Sequence, residues 1–148
     1  MKKLLSLLLF LSLLLLAFSA SAQTVSVPSA GFTLTIPDSF SEIPRSPADD
    51  PELVLRLADS SLDLTVYVSF SGGGDLFQLL TGDESEYGSV TVNGMNMLYA
   101  LGTDIQGNYK MYSWNRSRDS ITLYFVWSGS QKEALRLVDS IMSSITFN

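Results

Sequence analysis

Ser120 to Phe147 constrains the fold more than any other stretch of the chain. Ile121, Leu123, Phe125 and Trp127 fall on one face of an extended run, with Thr122, Tyr124 and Val126 on the other. Both faces are apolar enough to be covered, so the run predicts a strand with packing on each side. Ser128-Gly129-Ser130 turns the chain. The spacing of Ser130 and Glu133 predicts a capping box, in which each side chain satisfies a free backbone amide of the first helical turn. Ala134, Leu135, Val138, Ile141, Met142 and Ile145 then recur at helical spacing, opposite Lys132, Glu133, Arg136, Asp139 and Ser143. A helix striped in this way lies with its apolar side on a sheet, and a last short strand follows it.

The other end of the chain reads as a targeting segment. Lys2 and Lys3 precede an almost wholly apolar run from Leu4 to Leu16, and Ala20-Ser21-Ala22 supplies small residues for cleavage. Residues 1–22 are therefore expected to be a signal peptide, cut between Ala22 and Gln23. The apolar run falls short of the roughly 20 residues a spanning helix needs, so no membrane anchor is expected after cleavage. No cysteine follows the run to carry a lipid. Residues 23–148 form one expected domain, destined for a secreted, periplasmic or other extracytoplasmic location and held without disulfides.

Removing Lys2 and Lys3 from nine basic residues leaves seven against fifteen acidic ones, a net charge of −8. Nucleic acid is an unsuitable partner for such a surface, because phosphate pairing and counterion release require clustered Lys and Arg.

Between the two ends the pattern is one of strands. Thr24–Val27 and Phe32–Ile36 read as short strands, the second stopped by Pro37. Asp38 to Pro51 is a proline-rich loop. Leu53–Ala58 and Leu62–Phe70 predict a hairpin across Asp59-Ser60-Ser61, with Leu62, Leu64, Val66, Val68 and Phe70 inward and Asp63, Thr65, Tyr67 and Ser69 outward. Gly72-Gly73-Gly74 loosens the backbone before Asp75, which is placed to cap a short middle helix carrying Leu76, Phe77, Leu79 and Leu80. Asn93-Gly94, whose residues tolerate positive φ, predicts a tight hairpin between Ser89–Val92 and Met95–Leu101. Further turns at Asp104–Gly107 and Asn115–Asp119 complete a meander. The fold class is α+β: an antiparallel sheet of about seven or eight strands carrying the C-terminal helix and the short middle helix.

Gly31-Phe32-x-Leu34-x-Ile36-Pro37 with Phe40, the Val92-Asn93-Gly94 hairpin and the closing Ser144-Ile145-x-Phe147 resemble the PsbP-like group in the same order. The resemblance spans most of residues 23–148 and implies an antiparallel sheet with helices packed on it. It implies no activity, because members of the group bind different partners.

The chain has no histidine and no cysteine. That removes Ser-His-Asp and Cys-His nucleophile systems and the usual zinc, copper and iron sites, and no cofactor is implied. A Ser-Lys pair has only Lys110 and Lys132 to draw on, and Lys132 falls on the polar face of the helix. Asp49-Asp50-x-Glu52 and Asp83-Glu84-x-Glu86 are the acidic groups available to a hard cation, but neither has the alternation of a calcium loop. They read as solvated loops, with Asp83, Glu84 and Glu86 a weak alternative metal site. Gly72–Gly74 lacks the lysine of a phosphate loop. Asn115-Arg116-Ser117 matches a glycosylation sequon.

What remains is aromatic. Lys110, Tyr112 and Trp114 share one face of a strand, and Tyr124 falls beside them or on the opposite face according to the parity of the turn after Asn115. These four residues are the candidate contacts of a non-enzymatic binding or accessory domain for a protein or small ligand. The alternative is an envelope hydrolase using a carboxylate pair.

Overall fold

The computed structural model describes residues 21–61, 63–71, 84–116 and 119–148. Two sheets and one helix make up those residues. Seven strands form the larger sheet in the order β3-β4-β5-β9-β8-β7-β6. They are β3 (Ser41–Glu42), β4 (Leu53–Asp59), β5 (Leu64–Ser71), β6 (Glu84–Val92), β7 (Met95–Asp104), β8 (Gly107–Arg116) and β9 (Asp119–Trp127). Every pairing is antiparallel. The expected middle helix over Asp75–Leu80, the Gly72–Gly74 turn and the leader up to Ala20 lie outside the described residues.

A single sheet does not account for all the strands. β1 (Ala22–Val27), β2 (Phe32–Pro37) and β10 (Thr146–Phe147) form a separate three-stranded sheet in the order β1-β2-β10. The chain returns from helix α1 (Gln131–Ser143) directly onto β2, where Phe147 pairs with Phe32. Gly31 leads into β2. It adopts φ +69, and a Cβ there would meet the Arg116 guanidinium at 2.3 Å.

The helix and the small sheet cover the same face of the large one. Phe32, Leu34 and Ile36 of β2 and Ala134, Val138, Ile141 and Met142 of α1 are buried with Leu64, Val66, Val68, Leu123, Phe125 and Trp127. Those of β5 belong to the inward set of its alternation, and those of β9 to one of its two apolar faces. Phe32 and Phe147 both meet the Trp114 ring edge-on, with centroids at 5.6 and 5.7 Å.

The ends of α1 are held differently from the sequence expectation. Ser130 is the N-cap residue, but its side chain makes no capping hydrogen bond. Ser128 through Glu133 are exposed, so water can satisfy the first-turn amides without a side-chain cap. The tie is at the C-terminus instead. Ser144 Oγ donates to the Ile141 carbonyl at 2.6 Å and accepts from the Thr35 amide at 2.8 Å. Asn93 Nδ2 donates to the Ile145 carbonyl at 2.7 Å. Asn93 and Gly94 have φ of 47 and 86, the left-handed pair demanded by the tight β6–β7 hairpin. One residue thus forms a turn and anchors the distant end of the helix.

In the β4–β5 connection, Asp59 is buried and its Oδ1 accepts from the Ser61 amide at 2.8 Å and from Ser61 Oγ at 2.6 Å. Asp59 pairs with Leu64, the first residue of β5; Leu62, expected to open this strand, lies outside the described residues.

Candidate functional site

The register of the large sheet separates the four candidate contacts. Arg116 pairs with Asp119, which places Tyr112 opposite Leu123 and Tyr124 opposite Met111. Paired residues share a face, so Tyr124 points away from Lys110, Tyr112 and Trp114.

Those three lie on the helix side. Trp114 is 4% exposed and Tyr112 also 4%, both within the main core. Tyr112 packs edge-on against Phe125 at 6.2 Å. Lys110 Nζ sits 5.4 Å from the centre of the Tyr112 ring and donates to Asp139 Oδ1 of α1 at 2.9 Å. Burial lowers the Lys110 affinity for its proton, but its links to Tyr112 and Asp139 outweigh that and leave its pKa raised. Burial raises the pKa of Tyr112. A groove of about 340 Å³ runs here beside the helix, with Val90, Val92, Lys110, Tyr112 and Met142 among its walls. Trp114 is not among them. It is a core residue, closed over by Phe32 and Phe147.

The opposite face holds the larger cleft, about 410 Å³. Its floor follows from register. Arg56 of β4 pairs with Tyr67 of β5, Tyr67 with Tyr124 of β9, and Tyr124 with Met111 of β8, so the four stand in one row across the sheet. Three inter-strand steps of about 4.8 Å make that row about 14 Å long. Tyr109 lies two residues along β8 from Met111 and so on the same face, its ring centre 5.4 Å from that of Tyr124; Tyr67 is 6.2 Å from Tyr124 on the other side. Tyr109 and Met111 are buried together with Ala100 and Val126 in a second apolar cluster, while Tyr67 and Tyr124 are half-buried and line the opening.

Charged groups stand at both ends. Asp104, the last residue of β7, accepts from the Tyr124 hydroxyl through Oδ2 and from the Gln106 and Gly107 amides through Oδ1, the latter two at 2.7 and 3.2 Å. Burial and this carboxylate acceptor raise the Tyr124 pKa far above the ordinary tyrosine value of 10.0. At the β4 end, Asp49 Oδ1 faces Arg56 Nη1 at 3.4 Å, and Asp50 also lines the cleft. Ser69 and Thr122 supply hydroxyls. Such a cleft can hold a small flat or apolar body on tyrosine and methionine faces and meet polar groups at its rim.

Among the described residues no group of three or more acidic side chains is placed to hold a metal ion. Of the acidic stretch Asp83-Glu84-x-Glu86, Asp83 lies outside those residues and Glu86 accepts from the Tyr99 hydroxyl at 2.7 Å. Tyr67, Tyr109, Arg56 and Asp104 were not singled out by the sequence. Tyr67 carried a usable signal, since its alternation in β5 already set it on the outward side.

Neither a protein-family model nor a curated protein matches the chain. Solved structures do. The cyanobacterial PsbP (CyanoP) of Synechocystis superposes with a TM-score of 0.64 at 16% identity, over 87% of this chain and 94% of its own. The Ran-binding protein Mog1p of Saccharomyces cerevisiae gives 0.53 at 9% identity, over 87% and 96%. A Bacteroides thetaiotaomicron structure gives 0.52 at 10% identity, over 85% of this chain and 48% of its own. At these identities the likeness concerns architecture: the chain has the PsbP-like fold.

Proposed function

We propose that this chain is an exported, non-catalytic binding or accessory domain whose ligand occupies the cleft over Tyr67 and Tyr124. One observation carries the reading: an apolar cleft of about 410 Å³ on the sheet face opposite the helix, floored by tyrosine and methionine side chains. A folded domain gains nothing in stability from leaving aromatic surface uncovered, so half-exposed rings at the mouth of such a cleft favour a ligand. Tyr124 is the candidate contact assigned to this cleft. Lys110 and Tyr112 flank the lesser groove, and Trp114 is assigned to the core. A binding role agrees with the structural likeness to Mog1p, whose name records a protein partner.

Export rests on Lys2, Lys3, the Leu4–Leu16 run and Ala20-Ser21-Ala22. Cleavage after Ala22 would leave Gln23–Val27 paired with Phe32–Ile36, so the first sheet survives processing. No helix among the described residues is long and apolar enough to cross a membrane.

Ligand-observed NMR with a small-molecule fragment set tests the reading. Molecules that bind the native protein should lose contact with a Tyr67→Ala/Tyr124→Ala variant whose circular dichroism is unchanged. Retention of every ligand by that variant would place binding elsewhere. The carboxylate-pair hydrolase is the second reading, because Asp49, Asp50 and Asp104 line this same cleft. It requires turnover of a glycoside or ester that Asp104→Asn or Asp50→Asn abolishes.

A further inference from the structure

The charge around the cleft selects among ligands. Three carboxylates, Asp49, Asp50 and Asp104, line it against one guanidinium, Arg56. Arg56 is already spoken for: Nη1 faces Asp49 and Nη2 reaches the Pro44 carbonyl at 3.4 Å. Its Nε is buried without a partner, shielded from a ligand as it is from water. Arg45 is turned to the backbone, its Nη2 reaching the Asp50 and Pro51 carbonyls at 3.4 and 3.3 Å. Counting the Arg56–Asp49 pair as neutral leaves the carboxylates of Asp50 and Asp104 without an ion pair among the described residues. Among the described residues no other Lys or Arg lines the cleft.

The tyrosines carry the same preference. The face of a phenol ring is the negative end of its quadrupole, and Tyr67 and Tyr124 stand side by side at the opening. The Tyr124 hydroxyl is committed to Asp104, so what this residue offers a ligand is its ring. An anion placed over this floor would meet a surplus of carboxylates beside two tyrosine rings. A cation would be attracted by both.

Building on the binding role proposed above, we propose that the ligand is a small organic cation, an ammonium or guanidinium on an apolar or aromatic body. The body lies on Tyr67, Tyr124 and Met111, and the charge sits toward Asp50 and Asp104. Recognition combines ring-face attraction with rim carboxylates, and it needs neither a metal nor a covalent step.

Isothermal titration of the purified protein with three probes of similar size tests this: benzyltrimethylammonium, benzyl alcohol and benzoate. The expected order places the cation first, at least about tenfold tighter than benzyl alcohol, with benzoate not binding. Raising ionic strength from about 0.01 to 0.15 M should weaken the cation several-fold and leave the alcohol unchanged. Asp50→Asn keeps an oxygen for the Glu52 amide, which Asp50 accepts at 2.9 Å, while removing the charge. It should weaken the cation about threefold and spare the alcohol. Tyr124→Leu should cost the cation about tenfold.

Binding of benzyl alcohol or benzoate at least as tight as the cation would overturn the choice of cation while keeping the cleft as a binding site. Binding of the cation unaffected by both Asp50→Asn and Tyr124→Leu would remove it from this cleft. Failure of all three probes would overturn the cation proposal, leaving the fragment screen to judge the cleft itself.

Discussion

The two faces of the large sheet are built from the same strands and finished differently. On one, α1 and the three-stranded sheet close over Trp114, Phe125 and Leu123 and leave a groove at the β6 side. On the other, Ala100, Tyr109, Met111 and Val126 form a much smaller buried cluster, with Tyr67 and Tyr124 half-exposed beside it. Adjacent residues of β8 belong to opposite sides: Tyr112 is a packed core ring and Met111 part of a cleft floor. Aromatic content therefore does not mark a site in this chain. Cover does, since Trp114 is enclosed between two rings while Tyr124 keeps one side open.

That contrast can be broken by substitution. Trp114→Ala should cost about 3–5 kcal/mol in urea unfolding, because it empties a site enclosed by Phe32 and Phe147. A loss no greater than that of Tyr67→Ala would show that the helix side is not the stabilising one. Tyr124→Phe removes only the hydroxyl given to Asp104 and should cost about 1–2 kcal/mol. Its pH dependence sharpens the point. The folded-state pKa of Tyr124 is raised, so the stabilisation is complete below the ordinary value of 10.0 and is lost as pH climbs above it. Native protein should lose stability between about pH 10 and 12 more steeply than Tyr124→Phe; parallel curves would detach the hydroxyl from the fold. Asp139→Asn should cost about 0.5 kcal/mol, less in high salt, since Asp139 is exposed although Lys110 is not. Ser130→Ala should be smallest, a few tenths of a kcal/mol, instead of the roughly 1 kcal/mol lost with a working cap.

The last case also shows how far local sequence reaches. Ser130 and Glu133 have the spacing of a capping box, but an exposed helix start lets water do the same work, and spacing is blind to exposure. Asn93-Gly94 was legible as a hairpin because its φ requirement is local; its hold on the Ile145 carbonyl was not, because the two are brought together only by the tertiary fold. The alternation of β5 identified its inward residues, and the apolar stripe of α1 identified its buried side; β9, apolar on both faces, left its inward side open. The separate three-stranded sheet was hidden, since each short strand is compatible with either sheet until β10 is seen to return to β2. The same limit governed the site. Tyr67 and Tyr124 are each outward in their own strands, and only the Tyr67–Tyr124 pairing, set by register across a long connection, makes them one floor.

Which face receives a ligand is read directly by amide NMR shifts on titration with benzyltrimethylammonium. The expected result is a cluster of shifted amides at Arg56, Tyr67, Met111 and Tyr124, with Val90, Lys110 and Met142 unmoved. Shifts gathered instead at Val90, Lys110 and Met142 would place the site beside the helix and contradict binding over Tyr67 and Tyr124.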